Sequence, residues 1–428
     1  MKQLIKEIIL ENQHMQVPAM VSRQQDVPLD LKVIVSLVGP RRSGKSWLLY
    51  RAMQQLDERG VTRTNILFVN FEDERLMLKS QDLDLIIQAY NELYPGIGME
   101  EVYLFFDEIQ NVPGWEQFIR RVYDTRSRHI FITGSNARLL SKEIATALRG
   151  RSITINVLPF SFGEYLRALG ITPSSKTQKH RSTLIHYTEQ FMYHGGFPET
   201  IGMADPYRIK LLHEYFNVMM FRDIVERYQV ANIDTLRFFI RKIFAGVTKP
   251  FSVNKAYNDL RSMGYKISNK YLYDYLLYCN DVYLCQSVSK HDHSEIKQAK
   301  SEKRVYTIDS GLLAAVEFSI SKNQGKLFEN MVFMELLKQE KVVNYFKGRY
   351  ECDFIIEGTG GWMPMQVTWS LSEDTTLERE LRGLREACDY LGTSRGVIIT
   401  PDTLDEIHYQ GITAEVIPFY EMFAFESR

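Results

Sequence analysis

Short apolar runs alternate with helical spacing through the first 160 residues. The runs that predict strands are residues 31–38, 65–70, 102–106, 129–133 and 152–157. Four of them are continuously apolar, which is typical of strands buried on both faces of a sheet. Between them, apolar residues three and four apart predict helices, as in residues 47–56 and 115–123. This alternation indicates an α/β fold with a parallel, doubly wound sheet.

From residue 161 the pattern becomes mainly helical. Helical spacing in residues 253–263 and 268–279, on either side of a Gly264 turn, is followed by two apolar runs at residues 282–288 and 304–308. Two helices followed by a two-strand ribbon resemble a winged helix. We expect Ser268 to cap the second helix and the charged residues 290–304 to form the loop of the ribbon.

A third segment begins near residue 322 and again mixes helices with strands. Helical spacing in residues 325–337 and 376–390 surrounds strand-like runs near residues 343–346, 351–356 and 363–369, and another run follows at 396–399. We therefore expect three domains, residues 1–160, 161–320 and 321–428.

The composition of the chain limits the classes of partner and the compartment that we expect. The chain has 52 Lys and Arg against 53 Asp and Glu, a formal net charge of −1. This balance excludes an overall electrostatic attraction to nucleic acid or anionic lipid, so any basic site must be local. No apolar run is as long as a membrane span, and the four cysteines form no C-x-x-C pair. We expect a reducing, cytoplasmic compartment and no membrane association.

Residues 39–46, GPRRSGKS, match the phosphate-binding pattern G-x-x-x-x-G-K-[ST] between a predicted strand and a predicted helix. Gly39 and Gly44 allow the loop to curl, so that successive N–H groups point at phosphate oxygens. We expect Lys45 to reach the β- and γ-phosphates and Ser46 to supply a hydroxyl to Mg²⁺. The residues expected to bind the nucleotide are Gly39, Pro40, Arg41, Arg42, Ser43, Gly44, Lys45, Ser46 and Trp47. The alternative is a glycine turn with an incidental lysine.

Two acids follow the third apolar run. A buried strand would deliver Asp107 to the carboxyl edge of the sheet, where ligands bind in such folds. We expect Asp107 to orient Mg²⁺, through water, and Glu108 to act as the general base that polarises the attacking water. A second acid after the aspartate favours hydrolysis over binding alone. The alternative is a solvated strand end.

Polar residues also follow the fourth run. Thr133, Ser135 or Asn136 would contact the γ-phosphate or hold the water, although an ordinary polar turn has the same composition. Arg149 and Arg151 precede the fifth run, and either one would stabilise the charge of the transition state, within one chain or across a subunit interface. A solvated strand flank explains either arginine equally well.

These segments together resemble a known family. VGPRRSGKS, LFFDEIQNVPGWE, FITGSNARLLS, LRGR and VLPFSFGEYL, in this order, resemble prokaryotic AAA-type ATPases near the archaeal-ATPase and signal-transduction-ATPase lineages, fused to a C-terminal domain of unknown function. HGGFPE, FRDIVERY, YTIDSGL and KLFENMVFMEL extend the resemblance nearly to the C-terminus. The resemblance implies binding and hydrolysis of ATP, and the preference for ATP over GTP rests on it alone.

The order of features after residue 325 also resembles a degenerate restriction-endonuclease-like core. Such a nuclease needs an acid on a helix, an aspartate at a strand end and an E-x-K on the next strand. Glu329 and Asp353 match the two acids, but Gln366 and Thr368 stand at the E-x-K positions. One metal ligand loses its charge and the cationic group is gone, so the chemistry argues against phosphodiester cleavage. The surviving scaffold would bind nucleic acid or protein. Candidate basic residues are Lys347, Arg349, Arg379, Arg382 and Arg385.

Double-stranded DNA and a partner protein stay open as partners. Basic residues outnumber acidic ones between residues 201 and 310, and Lys249, Lys255, Lys266 and Lys270 cluster around the winged-helix-like segment. Winged helices also serve as interaction modules. We therefore expect an Mg²⁺-dependent ATPase whose nucleotide cycle controls how its C-terminal half engages DNA or a partner. A nucleotide-gated regulator with little turnover is the alternative, and an ATP-dependent nuclease is less favoured. An arginine acting in trans would require a homo-oligomer.

Overall fold

The computed structural model describes residues 1–17, 20–135, 148, 150–171, 178–317, 323–358 and 361–422. The chain divides into two compact units, unit 1 (residues 1–158) and unit 2 (residues 159–428). Within the described residues, no helix is both long and apolar enough to cross a membrane. The expected domain boundaries at residues 160 and 320 and the expected cytoplasmic compartment stay predictions.

A five-stranded parallel sheet forms the centre of unit 1. Its strands are β1 (Ile34–Val38), β2 (Ile66–Asn70), β3 (Tyr103–Asp107), β4 (Ile130–Gly134) and β5 (Ser152–Asn156). Their order is β2-β3-β4-β1-β5, and every neighbouring pair is parallel. The five predicted runs form these five strands, so the expected α/β class with a parallel sheet is confirmed. Strands β1 and β4 are buried along their whole length, as continuous apolar runs indicate.

The α-helices described in unit 1 are α1 (Lys2–His14), α2 (Lys45–Glu58), α3 (Asp84–Leu93) and α4 (Trp115–Thr125). In α4 the buried residues are three and four apart, so that one face packs on the sheet; they are Trp115, Phe118, Ile119, Val122 and Tyr123. Helix α2 follows β1 after a short loop. Residues 39–44 therefore lie at the carboxyl end of β1, next to the central strand β4, with the N-terminus of a helix directly behind them.

Unit 2 begins with a helical segment, as the sequence predicts. Its helices are α5 (Phe162–Ala168), α6 (Gln178–His194), α7 (Asp205–Val218), α8 (Ile233–Ala245), α9 (Val253–Ser262) and α10 (Asn269–Asp281). Helix α7 continues as a π-helical segment, Met219–Glu226. Helix α5 begins with a capping box, in which Ser161 Oγ accepts from the backbone N–H of Glu164 and the Glu164 carboxylate accepts from that of Ser161.

A small antiparallel sheet follows, with strands β6 (Pro250–Phe251), β7 (Cys285–Ser289) and β8 (Lys303–Thr307) in the order β6-β8-β7. Two local expectations hold only in part. The connection between β7 and β8 holds helix α11 (Glu295–Lys300), because Ser294 caps it by accepting from the N–H of Lys297. Ser268 stands at the N-cap of α10, but its side chain makes no capping hydrogen bond.

The rest of unit 2 contains helices α12 (Ser310–Val316), α13 (Gln324–Lys338) and α14 (Asp374–Leu391) and strands β9 (Val343–Lys347), β10 (Glu351–Gly358), β11 (Gly361–Val367), β12 (Arg395–Thr400), β13 (Asp405–Tyr409) and β14 (Ile412–Pro418). The strands form one mixed sheet in the order β13-β14-β12-β11-β10-β9. The hairpin β13–β14 was not predicted. Strand β13 is mostly exposed, so it lacks the apolar run by which buried strands are recognised.

Two segments singled out by the resemblance, HGGFPE and YTIDSGL, meet at the buried carboxylate of Asp309. One oxygen accepts from the backbone N–H of Gly196 at 2.7 Å, and the other accepts from that of Leu312 at 2.8 Å. The second bond caps helix α12. Because both oxygens are satisfied by backbone donors from distant parts of the chain, these segments have a structural role in joining α6 to α12.

Candidate functional site

The loop between β1 and α2 has the curled geometry that phosphate binding requires. Gly44 has φ 97° at the N-cap of α2, a conformation that favours glycine. Gly39 lies so close to β5 that an added Cβ would come within 1.9 Å of the Val157 carbonyl oxygen. The sequence therefore fixes both ends of the loop with glycine for two different reasons, a left-handed turn and a close backbone contact.

The side chain of Lys45 lies inside this loop. The residue is only 4% exposed, and its ammonium group donates to the carbonyl oxygens of Gly39 at 3.2 Å and Pro40 at 3.0 Å. The same group lies 3.3 Å from Glu108 Oε1. A buried ammonium needs such partners, because burial without them would disfavour its charge. Lys45 and Glu108 are thus brought together from β1 and β3.

Asp107 connects the loop to the ends of two strands. Its Oδ2 accepts from Ser46 Oγ at 2.7 Å, and its Oδ1 accepts from Thr133 Oγ1 at 2.5 Å. Thr133 Oγ1 also accepts from the backbone N–H of Glu108 at 2.8 Å. Strands β3 and β4 are parallel neighbours, so residues at their carboxyl ends meet at one edge of the sheet. Thr133 holds both acids, whereas the sequence suggested for it only contact with phosphate or water.

The two neighbouring acids have opposite pKa shifts. Burial, and then the negative charge of Glu108, raise the pKa of Asp107 to about 6. Burial also opposes ionisation of Glu108, but the positive charges of Lys45 and Arg41 and the hydrogen bond from Gln110 outweigh it and lower the pKa of Glu108. Near pH 6, therefore, Glu108 is ionised while Asp107 exchanges a proton.

Glu108 stands at the turn that ends β3. It has φ 50°, a left-handed conformation that is uncommon for a residue with a side chain. The side-chain amide of Gln110 donates to Glu108 Oε2 and lies 3.5 Å from Ser135 Oγ. Gln110 was missed from the sequence, and only its position two residues after an acid pair could have suggested it.

Other loop residues have definite neighbours. Arg41 forms an ion pair with Glu72 at 2.6 Å, and the carbonyl oxygen of Ser43 accepts from Arg23 at 2.9 Å. Ser43 Oγ is buried and has no hydrogen-bond partner within the described part of the chain. The site fits a nucleoside triphosphate with Mg²⁺. The Ser43 hydroxyl and the N-terminus of α2 suit phosphate oxygens, and the pair of Ser46 with Asp107 suits the metal ion.

The remaining predicted residues are not brought to this edge. Ser152 pairs with Ile34 in the register of β5 on β1, so Arg151 lies at the amino end of the sheet, roughly 16 Å of strand from the loop. Its guanidinium forms an ion pair with Asp124. A role for Arg151 in its own chain finds no support in this position, and a role across an interface stays a prediction. Asn136 and Arg149 lie outside the described residues.

In unit 2 the two acids of the nuclease-like pattern lie beside an arginine that sequence reasoning missed. Arg304, on β8, lies 3.2 Å from Asp353 Oδ1 and 3.5 Å from Glu329 Oε1. The Gln366 amide is used for structure, because its Oε1 accepts from the N–H of Asp353 at 2.9 Å and its Nε2 donates to the carbonyl oxygen of Glu351 at 3.0 Å. A basic residue inside a buried strand was the available signal for Arg304.

Comparison with known proteins assigns three segments. A family model described as an AAA domain matches residues 32–166. Two domains of unknown function, DUF8612 and DUF4143, match residues 185–324 and 324–421. Among solved structures, a Walker-type ATPase of Pyrococcus abyssi is 16% identical and aligns over 73% of this chain and 94% of its own, with a TM-score of 0.41. The ORC1 protein of Aeropyrum pernix in complex with DNA is 12% identical over 75% and 92%, with a TM-score of 0.31.

Two relatives align along most of the chain. An uncharacterized protein of Methanocaldococcus jannaschii is 32% identical over 438 residues, which is 98% of this chain and 95% of the relative. An uncharacterized protein of Haemophilus influenzae is 31% identical over 365 residues, 83% of this chain and 89% of the relative. The chain belongs to one family with these two relatives, and its residues 32–166, which contain the parallel sheet and the phosphate-binding loop, match an AAA domain.

Proposed function

We propose that unit 1 binds ATP with Mg²⁺ and hydrolyses it. The observation that carries this proposal is the continuous set of contacts from Ser46 through Asp107 and Thr133 to Glu108, with Lys45 against Glu108. It joins a metal-binding hydroxyl and carboxylate to a candidate general base at one edge of the sheet. The backbone N–H groups of residues 39–46 would hold the phosphates, and Trp47, 43% exposed, would contact the nucleotide.

In the proposed mechanism, Lys45 exchanges Glu108 and two loop carbonyls for the β- and γ-phosphates. This exchange frees the Glu108 carboxylate to accept a proton from the attacking water. Ser46 and Asp107 would hold Mg²⁺, which supplies positive charge to the phosphate oxygens. Gln110, which donates to Glu108 and lies near Ser135, would orient that carboxylate. The contributions of Asn136, Arg149 and Arg151 to turnover belong to the same proposal.

A nucleotide-gated regulator with little turnover is the second candidate. It is favoured by the engagement of Glu108, whose carboxylate contacts both Lys45 and Gln110. If ATP failed to release these contacts, nucleotide would bind without rapid hydrolysis. Steady-state phosphate release distinguishes the two candidates directly, since only the first requires turnover that depends on Glu108.

We further propose that the nucleotide cycle controls how unit 2 engages double-stranded DNA or a partner protein. Helices α8, α9 and α10 with the strands β6, β7 and β8 follow the order of a winged helix. Lys255, Lys266 and Lys270 are exposed around α10, which favours DNA. Tyr271 and Tyr273 are also exposed there, 58% and 52%, which favours a protein surface.

The first experiment is phosphate release from ATP with Mg²⁺ or with EDTA, with and without double-stranded DNA, at low and moderate salt. We expect turnover that EDTA abolishes. A rise with DNA that salt removes would support DNA as the partner, because phosphate contacts are lost as salt increases. Turnover indifferent to DNA would leave the ATPase intact and support a protein partner. The absence of turnover with retained ATP binding would support the regulator instead.

A further inference from the structure

A second site lies entirely within unit 2. A cavity of about 760 Å³ opens between β8, the N-terminus of α13 and the strands β10 and β11. Its lining includes the buried Arg304, the half-buried Glu329, Asp353, Lys326 and Trp369, and the exposed Lys249, which marks its mouth. It shares no residue with the nucleotide site, so its function can be tested separately from that of unit 1.

Arg304 is the centre of this cavity. Its side chain is only 3% exposed, and its guanidinium contacts three carboxylates. One terminal nitrogen lies 2.6 Å from Glu351 Oε2, and the other lies 3.2 Å from Asp353 Oδ1 and 3.5 Å from Glu329 Oε1. Several carboxylates around one buried cation is the arrangement of a divalent-metal site. Here the cation is the guanidinium of Arg304 rather than a bound metal ion.

The carboxylate oxygens around Arg304 also have other donors. Asp353 Oδ2 accepts from the backbone N–H of Val367 at 3.0 Å, and Glu329 Oε1 accepts from Tyr306 at 2.8 Å. Within the described residues, no group of His, Cys, Asp and Glu side chains is arranged to hold a metal ion. A divalent ion would therefore have to displace the guanidinium, which already contacts all three acids.

The mouth of the cavity has the opposite character. Lys249 and Lys326 both line it; Lys249 is exposed, and the Lys326 ammonium donates to the carbonyl oxygen of Ala245 at 3.2 Å. Burial, and then the positive charge of Lys249, lower the pKa of Lys326, and the negative charges of Glu329 and Glu317 oppose this shift. The N-terminus of α13, a helix of 15 residues, lines the same mouth and adds partial positive charge. Two repelling ammonium groups beside a helix N-terminus favour an anion with several oxygens.

We propose that this cavity binds a phosphate group without a divalent metal, with Arg304 in the position of the metal and Lys249 and Lys326 in contact with the phosphate. Trp369, at the same mouth, offers a ring on which a base can stack. The phosphate could belong to a nucleic-acid strand or be free in solution. The proposal does not depend on hydrolysis of ATP in unit 1.

Phosphate binding is tested on the full chain in EDTA, with two probes. One is a labelled single-stranded oligodeoxynucleotide followed by fluorescence anisotropy, and the other is inorganic phosphate followed by calorimetry. The double variant Lys249→Gln/Lys326→Gln should bind about tenfold more weakly or worse, since it loses two charged hydrogen bonds. The matched control Lys297→Gln/Lys300→Gln, on exposed α11, makes the same change in charge away from the cavity and should bind like wild type.

Every outcome decides the question. If the cavity variant binds both probes more weakly, the result supports a general phosphate site. If it binds only the oligonucleotide more weakly, the phosphate belongs to a nucleic-acid strand. Failure of both probes to bind in EDTA, wild-type binding of both probes by the cavity variant, or equal weakening by the control pair would each overturn the proposal. Loss of ATP hydrolysis in unit 1 would affect none of these readings.

The proposal that Arg304 occupies the position of a metal ion is tested with Mn²⁺ and electron paramagnetic resonance on nucleotide-free protein. Wild type should hold no Mn²⁺ whose binding depends on Asp353. Arg304→Met should gain one Mn²⁺ ion, and Arg304→Met/Asp353→Asn should lose it again. A folded Arg304→Met variant that binds no Mn²⁺ would contradict the idea. If that variant fails to fold, the wild-type measurement still tests the proposal. Wild-type protein that binds Mn²⁺, and loses it when Asp353 is changed to Asn, would also contradict the proposal.

Discussion

The ammonium group of Lys45 lies 3.3 Å from the carboxylate of Glu108. The group expected to hold the phosphates and the group expected to activate water therefore neutralise each other. A bound triphosphate competes with Glu108 for Lys45, because its oxygens carry more negative charge at the same distance. Binding and activation of the base are thus coupled through one ion pair, and each partner can be tested by substitution.

Glu108→Gln should bind ATP at least as tightly as wild type but hydrolyse it roughly 10²- to 10⁴-fold more slowly. The amide keeps the shape of the side chain, loses its basicity and no longer competes for Lys45. Fluorescent-nucleotide titration and phosphate release measure the two effects. The control Glu74→Gln removes an exposed acid of the same unit and should change neither. Near-normal turnover of Glu108→Gln would mean that another group is the base.

Lys45→Ala should lose most affinity for ATP. Its ammonium is buried inside the loop, in the position proposed to contact the β- and γ-phosphates. Nucleotide titration measures the loss, and Lys32→Ala, at an exposed position just before β1, serves as the control. Unchanged affinity in Lys45→Ala would contradict the assignment of residues 39–46 as the phosphate-binding loop.

Thr133→Val should lower the free energy of unfolding by about 1–3 kcal/mol and reduce turnover. The change keeps the volume but leaves the buried N–H of Glu108 without its acceptor and removes a hydrogen bond from Asp107. Urea unfolding and phosphate release measure the two effects. Thr133→Ser retains the hydroxyl and should restore both. If Thr133→Val behaved like wild type and Thr133→Ser did not, the methyl group rather than the hydroxyl would be the important part of Thr133.

Asp107 should make the protein less stable as pH rises from about 4 to about 6. Its folded pKa is raised to about 6 from an ordinary 3.8, so the folded state binds more protons than the unfolded state in this window. The free energy of unfolding then falls with pH, by up to about 3 kcal/mol for this group. Asp107→Asn should remove that part of the slope in urea unfolding at several pH values. The control Asp30→Asn changes an exposed acid and should keep the wild-type slope. Equal slopes in Asp107→Asn and wild type would contradict the prediction.

Arg151→Ala should leave ATP affinity unchanged, since the residue lies at the amino end of the sheet in its own chain. A loss of turnover would then arise either across a subunit interface or through the ion pair with Asp124. Phosphate release per subunit, measured over a range of protein concentrations, separates the cases. Wild-type activity that rises with concentration, and a variant that lacks the rise, would support action in trans. Loss of activity independent of concentration would instead indicate an effect through the ion pair with Asp124.

Spacing along the chain was enough to predict the acid pair at a strand end and the loop that faces it. It was not enough for Thr133, because a hydroxyl can turn to phosphate, water or another side chain, and the sequence left these open. Arg304 was missed for a related reason. Its partners Glu329, Glu351 and Asp353 are far from it in sequence, and no local sequence pattern predicts such a contact.

The sequence by itself determined the parallel α/β sheet, the phosphate-binding loop and the order of its chemical groups. Apolar periodicity and glycine positions are local properties that act before the chain folds. Only the tertiary structure decided which groups touch. It brought Lys45 to Glu108 and Thr133 to both acids, moved Arg151 away from the loop, and put Arg304 among three carboxylates. Those contacts depend on strand order and register, which no short segment encodes on its own.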